Sequence, residues 1–223
     1  MLRALFYKEW IKLRWPIGIL ALLGFASLIQ AGLGLRYLAA MKESADLWEG
    51  LILKQQMPYA GHLVFPVVCG LVLGAAQWFP ETRKRSLRLL LHLPLSEKIL
   101  IPVVVGTGLL FVCLLAGLHG LGLIFIYSLR FPQEIVTGIL WAWFPHMLAA
   151  MALYCGAAMV LMETSWWRRI MGACLVYFFF KMLSAGGQPA SYGQSIWIYA
   201  LVTMSLVIML FLPVMRAKRG GGL

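Results

Sequence analysis

Charge is scarce in this chain, and acid is scarcer still. Of its 223 residues, 12% are Asp, Glu, Lys or Arg, about half the share of an ordinary soluble domain. Eight are acids: Glu9, Glu43, Asp46, Glu49, Glu81, Glu97, Glu134 and Glu163. All lie in connecting segments or near the ends of apolar runs. Carriers driven by proton or sodium gradients usually place carboxylates inside their spans, so that class has little support here. There is no GxxxxGK[ST] phosphate loop, so the chain is not expected to bind a nucleotide in that way. Neither HExxH nor GxSxG occurs, which removes the familiar metalloprotease and serine-hydrolase apparatus. The four cysteines (Cys69, Cys113, Cys155, Cys174) form no CxxC and read as small apolar residues inside helices. The four histidines (His62, His92, His119, His146) do not cluster in sequence, and no metal site is expected.

What the chain has in abundance is apolar length. Hydrophobic residues make up 62% of it, and segments 15–35, 55–80, 99–129, 135–162, 170–180 and 182–215 carry no charge. Most exceed the roughly 20 residues that cross a hydrocarbon core of ~30 Å. A transmembrane barrel would instead show alternating segments of about 10 residues. The expected fold is an all-α integral membrane protein, one permease-like domain over 1–223. Its six helices are expected near 16–36, 61–80, 99–128, 138–162, 167–185 and 196–215. Lys181 interrupts the fifth. No cleavable signal sequence is expected at the start.

The nineteen Lys and Arg residues set the orientation. Taken over alternate connecting segments they divide fourteen to five, and the rich side is the cytoplasmic one. That split needs an even number of crossings and puts both ends of the chain inside. The net charge of +11 is then mostly a topology signal, and no nucleic-acid partner is expected. Trp10, Trp15, Trp78, Trp166 and Trp167 suit the inner interface, and Trp48, Trp141 and Trp197 the outer one.

Two segments read as amphipathic helices lying on the membrane surface. In residues 1–15, Leu2, Phe6, Trp10 and Leu13 form an apolar stripe, with Lys8, Glu9 and Lys12 opposite, and Trp15-Pro16 marks a turn into the first span. In residues 81–96, Glu81, Lys84, Arg85, Arg88 and His92 share one helical face, with Arg83 beside them and leucines on the other side. Glu81 stands four before Arg85, the favourable order for an ion pair. Pro94 ends that helix, Leu95 follows, and Ser96 is placed to cap the third span with Glu97 near its positive end.

Inside the spans the polar residues are few. Gly70 and Gly74 form a GxxxG, with Gly117, Gly120 and Gly122 on the third helix; both sets favour close helix packing over ligand binding. His119, Gln30 and Gln77 read first as groups hydrogen-bonded across helices, and second as pathway residues. Lys181 lies about 18 Å along a helix from Arg169. It either snorkels to the outer interface or faces a wet cavity between subunits. Residues 184–195 form a short external loop rich in Gly and Pro.

The arm ALFYKEWIKLRW, the six helices, and the Glu81-x6-LLLHLPLS segment resemble the ABC type-2 permease family, membrane subunits of ATP-driven exporters. The resemblance is specific at about residues 5–15 and 77–100 and general in topology elsewhere. Many relatives carry Gly-Thr or Gly-Ser shortly after the Glu; this chain has Arg85-Ser86. The resemblance implies that 1–15 is an elbow helix (Phe6, Lys8, Glu9, Trp10, Lys12). It also implies that 81–96 is a coupling helix docked on a separate ATPase (Glu81, Arg83, Lys84, Arg85, Arg88, His92, Pro94, Leu95, Ser96). It further implies two ATPase chains that bind ATP and Mg, a second copy of this chain or a homologous permease, and a bacterial inner (cytoplasmic) membrane. The chain itself would hold no cofactor and be no enzyme. A scaffold subunit without a transport path, or a membrane enzyme of unfamiliar chemistry, are the rival expectations. The substrate is not legible.

Overall fold

A computed structural model describes residues 2–41, 49–50, 57–83, 97–163, 165–185, 193 and 195–210. Among the described residues there are helices and turns and no strand. Helix α1 is Leu2–Met41; a 3₁₀ turn, Ala60–Leu63, leads into α2, Val64–Arg83. Then come α3 (Glu97–Ser128), α4 (Gln133–Met162), α5 (Trp166–Ser184) and α6 (Ile196–Met209). Each of the six apolar segments is therefore helical. Four of them, Arg3–Met41, Ala60–Thr82, Ile99–Ser128 and Gln133–Met162, are long and apolar enough to cross a membrane. In lipid no water satisfies a bare peptide group, so a helix, which pairs its own backbone, is the form such segments take. The chain is a multi-pass helical membrane protein.

Close contacts fix the directions of the helices. Leu28 of α1 meets Gly122 of α3, and Phe6 and Trp10 lie against Phe111, so α1 and α3 run the same way. Gly70 and Gly74 of α2 meet Ala150 and Tyr154 of α4, which run together in the opposite sense. Gly156 against Val176 and Gly172 near Val160 make α4 and α5 antiparallel. The GxxxG reading holds in full: a Cβ at Gly70 would lie 2.0 Å from the Ala150 carbonyl oxygen, and one at Gly74 2.9 Å from that of Tyr154. Only bare glycine lets α2 and α4 approach this closely. On α3 the outcome divides. Gly120 accommodates Trp143 and Gly122 accommodates Leu28, whereas Gly117 faces open space.

Two apolar clusters fill the bundle. The larger joins Leu5, Leu13, Leu20, Leu73, Trp78, Val104, Tyr154, Met162 and Leu206. The smaller, toward the other end, joins Leu35, Tyr59, Leu63, Leu123, Tyr127 and Ile139. Trp78 is thus a core residue and not an interfacial one, while Trp15, Trp166, Trp167 and Trp197 are largely exposed, as lipid-facing aromatics would be. Cys69 and Cys155 are buried, Cys113 is half-buried and Cys174 is exposed, so the small-core reading fails at Cys174.

Two expected boundaries differ. The turn at Trp15-Pro16 is absent: α1 runs through Pro16. Leu5, Glu9, Leu13 and Leu20 form one buried stripe on both sides of the proline. Continuous packing against the bundle outweighs the single backbone hydrogen bond that proline removes. Likewise Pro80 lies inside α2, and Glu81–Arg83 complete that helix and do not begin a separate one. Residues 84–96, with Lys84, Arg85, Arg88, His92, Pro94, Leu95 and Ser96, lie outside the described residues, as does most of 184–195.

Candidate functional site

The polar side chains inside the bundle gather at two places, near opposite ends of α2. The first is built on the N-terminal arm. Its helical face of Leu5, Glu9 and Leu13 turns inward, so Glu9 has no exposed surface, while Phe6 and Trp10 remain partly exposed beside Phe111. The expected apolar stripe is therefore split: Leu13 turns inward with Glu9, while Phe6 and Trp10 stay on the outer side. A buried charge must be paired and hydrogen-bonded, and this one is. Lys12 Nζ donates to Glu9 Oε1 at 2.7 Å. It also donates to Glu81 Oε1. Lys8 Nζ reaches the same Glu81 oxygen at 2.8 Å. Glu81 is 1% exposed. Among the described residues, two carboxylates and two ammonium groups thus meet between α1 and the end of α2.

The network continues inward through an amide. Gln77 Nε2 donates to Glu9 Oε2 at 2.9 Å and to the Val104 carbonyl at 2.9 Å. Gln77 Oε1 accepts from the Tyr154 hydroxyl at 2.7 Å. Tyr154 Oη also lies 3.3 Å from the Val105 carbonyl. Both amide donors and the amide oxygen are therefore used, as a fully buried amide requires. Gly108 makes the meeting possible: a Cβ there would lie 2.1 Å from both Gln77 Oε1 and Tyr154 Oη. One connected chain of bonds, Lys8–Glu81–Lys12–Glu9–Gln77–Tyr154, joins α1, α2, α3 and α4. It descends about 12 Å from the end of α4 into the bundle. At the same end Glu163 closes α4. Arg168 Nε lies 3.2 Å from its carboxylate and Arg169 Nε donates to its carbonyl at 2.5 Å.

The second gathering lies about 22–28 Å away along α2. Ser27 of α1 stands between two imidazoles. Its Oγ is 2.9 Å from His62 Nδ1 and 3.2 Å from His119 Nε2. The Phe65 ring covers His119 at 4.3 Å between centroids. His119 is 3% exposed and its Nδ1 has no hydrogen-bond partner among the described residues. Nearby, Tyr59 packs edge-on to Tyr127 at 5.8 Å. Burial first, and the neighbouring Tyr127 second, push the Tyr59 phenol up to about 12.

The remaining sequence-expected residues are dispersed. Gln77 and His119 are cross-helix hydrogen-bonding groups, as expected. Gln30 is exposed on α1 and takes no part in either cluster. Lys181 is exposed on α5, its Nζ 5.8 Å from the centroid of the Tyr177 ring. Arg83 is the last residue of α2. Sequence reasoning missed Tyr154, Ser27, His62 and Gly108. The signal open to it was weak: a lone hydroxyl or imidazole inside an apolar run has to find a partner across helices. Among the described residues no three His, Cys, Asp or Glu side chains converge as a metal site. Comparisons with models of known families, with curated proteins and with solved structures find no match to this chain.

Proposed function

We propose that this chain is the membrane-spanning permease subunit of an ATP-binding cassette exporter, driven by ATPase subunits on separate chains. The observation that carries the reading is the buried fastening of Glu81. Residues 84–96, whose sequence resembles a coupling helix, leave α2 directly after Glu81–Arg83. At that point Lys8 and Lys12 hold the α2 end to α1. Glu9, Gln77 and Tyr154 carry the connection to α3 and α4. A force applied to 84–96 would reach four helices through bonds that, Lys8 apart, are buried from water. Arg85 and Arg88 would meet acids on the ATPase, and the absence of a phosphate loop becomes a division of labour.

On this reading six crossings bring both ends of the chain to the cytoplasmic face, in keeping with the fourteen-to-five division of Lys and Arg. One bundle of six helices then requires a second copy, or a homologous permease, to enclose a path. The working assembly has two permease and two ATPase chains in a bacterial inner membrane.

The test is co-purification from native membranes with a partner that carries a phosphate loop, together with its ATP hydrolysis. Arg85→Glu with Arg88→Glu should release that partner or leave hydrolysis running without transport. An unchanged complex with unchanged transport would sink the proposal.

A further inference from the structure

The Ser27–His62–His119 group is more than a strut between helices needs. A hydroxyl holding two helices together requires one partner; this one has an imidazole on each side. His119 also keeps a buried nitrogen with no partner among the described residues, an arrangement that calls for an explanation in a native core. Metal binding fits poorly, because two imidazoles and a neutral hydroxyl fall short of a ligand set. A proton position shared between the two rings fits the geometry.

We propose that Ser27, His62 and His119 form a single proton-binding site, shared between two imidazoles and reached from the His62 end of the bundle. His62 is half-exposed on the turn that opens α2, while His119 is enclosed. A serine hydroxyl has one proton to give and lone pairs to accept. It therefore donates to one ring nitrogen while accepting an N–H from the other. A proton arriving on His62 Nε2 makes that ring an imidazolium. Its Nδ1 proton passes to Ser27 Oγ as the hydroxyl's own proton passes to His119 Nε2. His62 returns to neutrality and His119 carries the added proton; only these N–H and O–H bonds change. A second proton is disfavoured, because it would put two like charges on either side of one oxygen.

Among the described residues the neighbours of the pair are apolar or neutral, with the phenols of Tyr59 and Tyr127 nearby. From α1 comes only the neutral Ser27; α2 brings His62 and the apolar Phe65. From α4 comes Trp143, against Gly120, with His146 three residues on, its Nδ1 bonded to the Ala142 carbonyl. The lysines and glutamates of the first cluster lie about 22–28 Å off along α1 and α2. The site stands whether or not an ATPase drives the chain.

The test is ¹⁵N-histidine NMR of the full chain in detergent micelles, titrated from about pH 8 to about pH 4 across the histidine range. The His62 and His119 signals should move together, in two steps at least about one pH unit apart. Ser27→Ala should bring the two steps closer together by removing the shared hydroxyl, and Ser27→Thr, which keeps the hydroxyl, should keep their spacing. His62→Gln, a second variant that leaves Ser27 in place, should reduce His119 to one step. Independent titration of the two histidines in the unmodified chain would overturn the proposal. So would a step spacing unchanged by Ser27→Ala or a His119 signal unchanged by His62→Gln.

Discussion

At the scale of single residues, the bundle's polar network depends on one missing methyl group. Gly108 faces the point where Gln77 and Tyr154 meet. Gly108→Ala must push those two side chains apart, and overpacking with a lost buried hydrogen bond should cost about 3 kcal/mol. Gly117→Ala on the same helix meets nothing within 4 Å and should be neutral or stabilising by about 0.5–1 kcal/mol. Thermal unfolding in one detergent compares the two directly. The lysines divide in the same way. Lys12 is mostly enclosed and bridges both carboxylates, whereas the Lys8 side chain is 39% exposed. Lys12→Met removes a partner from buried acids and should cost about 3 kcal/mol or more. Lys8→Met should cost no more than about 1 kcal/mol, because water screens an exposed pair. Equal losses in chemical denaturation would show that Lys8 carries the cluster as much as Lys12 does.

At the scale of elements, the α2–α4 contact is the seam of the bundle. Gly70 and Gly74 place the two backbones too close for any side chain between them. Gly70→Val should separate the helices and lower the unfolding midpoint well below that of Gly61→Val, where a Cβ meets nothing. Gly70→Val retaining the midpoint of the unmodified chain would mean that the seam can open at little cost. Helix α1 shows how tertiary contact overrides a local signal. Trp15-Pro16 reads as a corner because proline disfavours helix in the residue before it. The buried stripe through Leu5, Glu9, Leu13 and Leu20 holds the helix continuous across it. At about 60 Å it is roughly twice as long as the hydrocarbon core is thick, so its first turns stand beyond the core or lie tilted against it.

At the scale of the whole molecule, the two ends of the bundle hold different chemistry. One end is ionic and tied to four helices; the other is aromatic, with imidazoles beside it. The aromatic end contributes to the alkaline limit of stability. Tyr59 ionises in the folded chain only near pH 12, against an ordinary value of 10.0. A raised value means that the folded state holds the proton more tightly. The contribution is therefore complete below about pH 10 and is lost as pH climbs toward about 12. Tyr59→Phe should flatten the fall in stability over that window. An identical alkaline profile in the variant would place the sensitivity elsewhere.

The sequence by itself determined the class and the segments. Sparse charge, long apolar runs and the need to satisfy the backbone in lipid leave little besides helices, and all six segments are helical. It also pointed to Gln77 and His119 as cross-helix groups and to Gly70 and Gly74 as packing sites, because each is conspicuous within its own span. It could not tell which side of the N-terminal arm faces inward. Phe6, Trp10 and Leu13 look like one apolar stripe until the partners of Glu9 are known. Nor could it join Lys8 to Glu81, 73 residues apart, Tyr154 to Gln77, 77 apart, or His119 to Ser27, 92 apart. A helical period orders side chains on one helix and says nothing about which faces meet. That was decided by tertiary packing, where a glycine admits a neighbouring helix and every buried polar atom then seeks a partner.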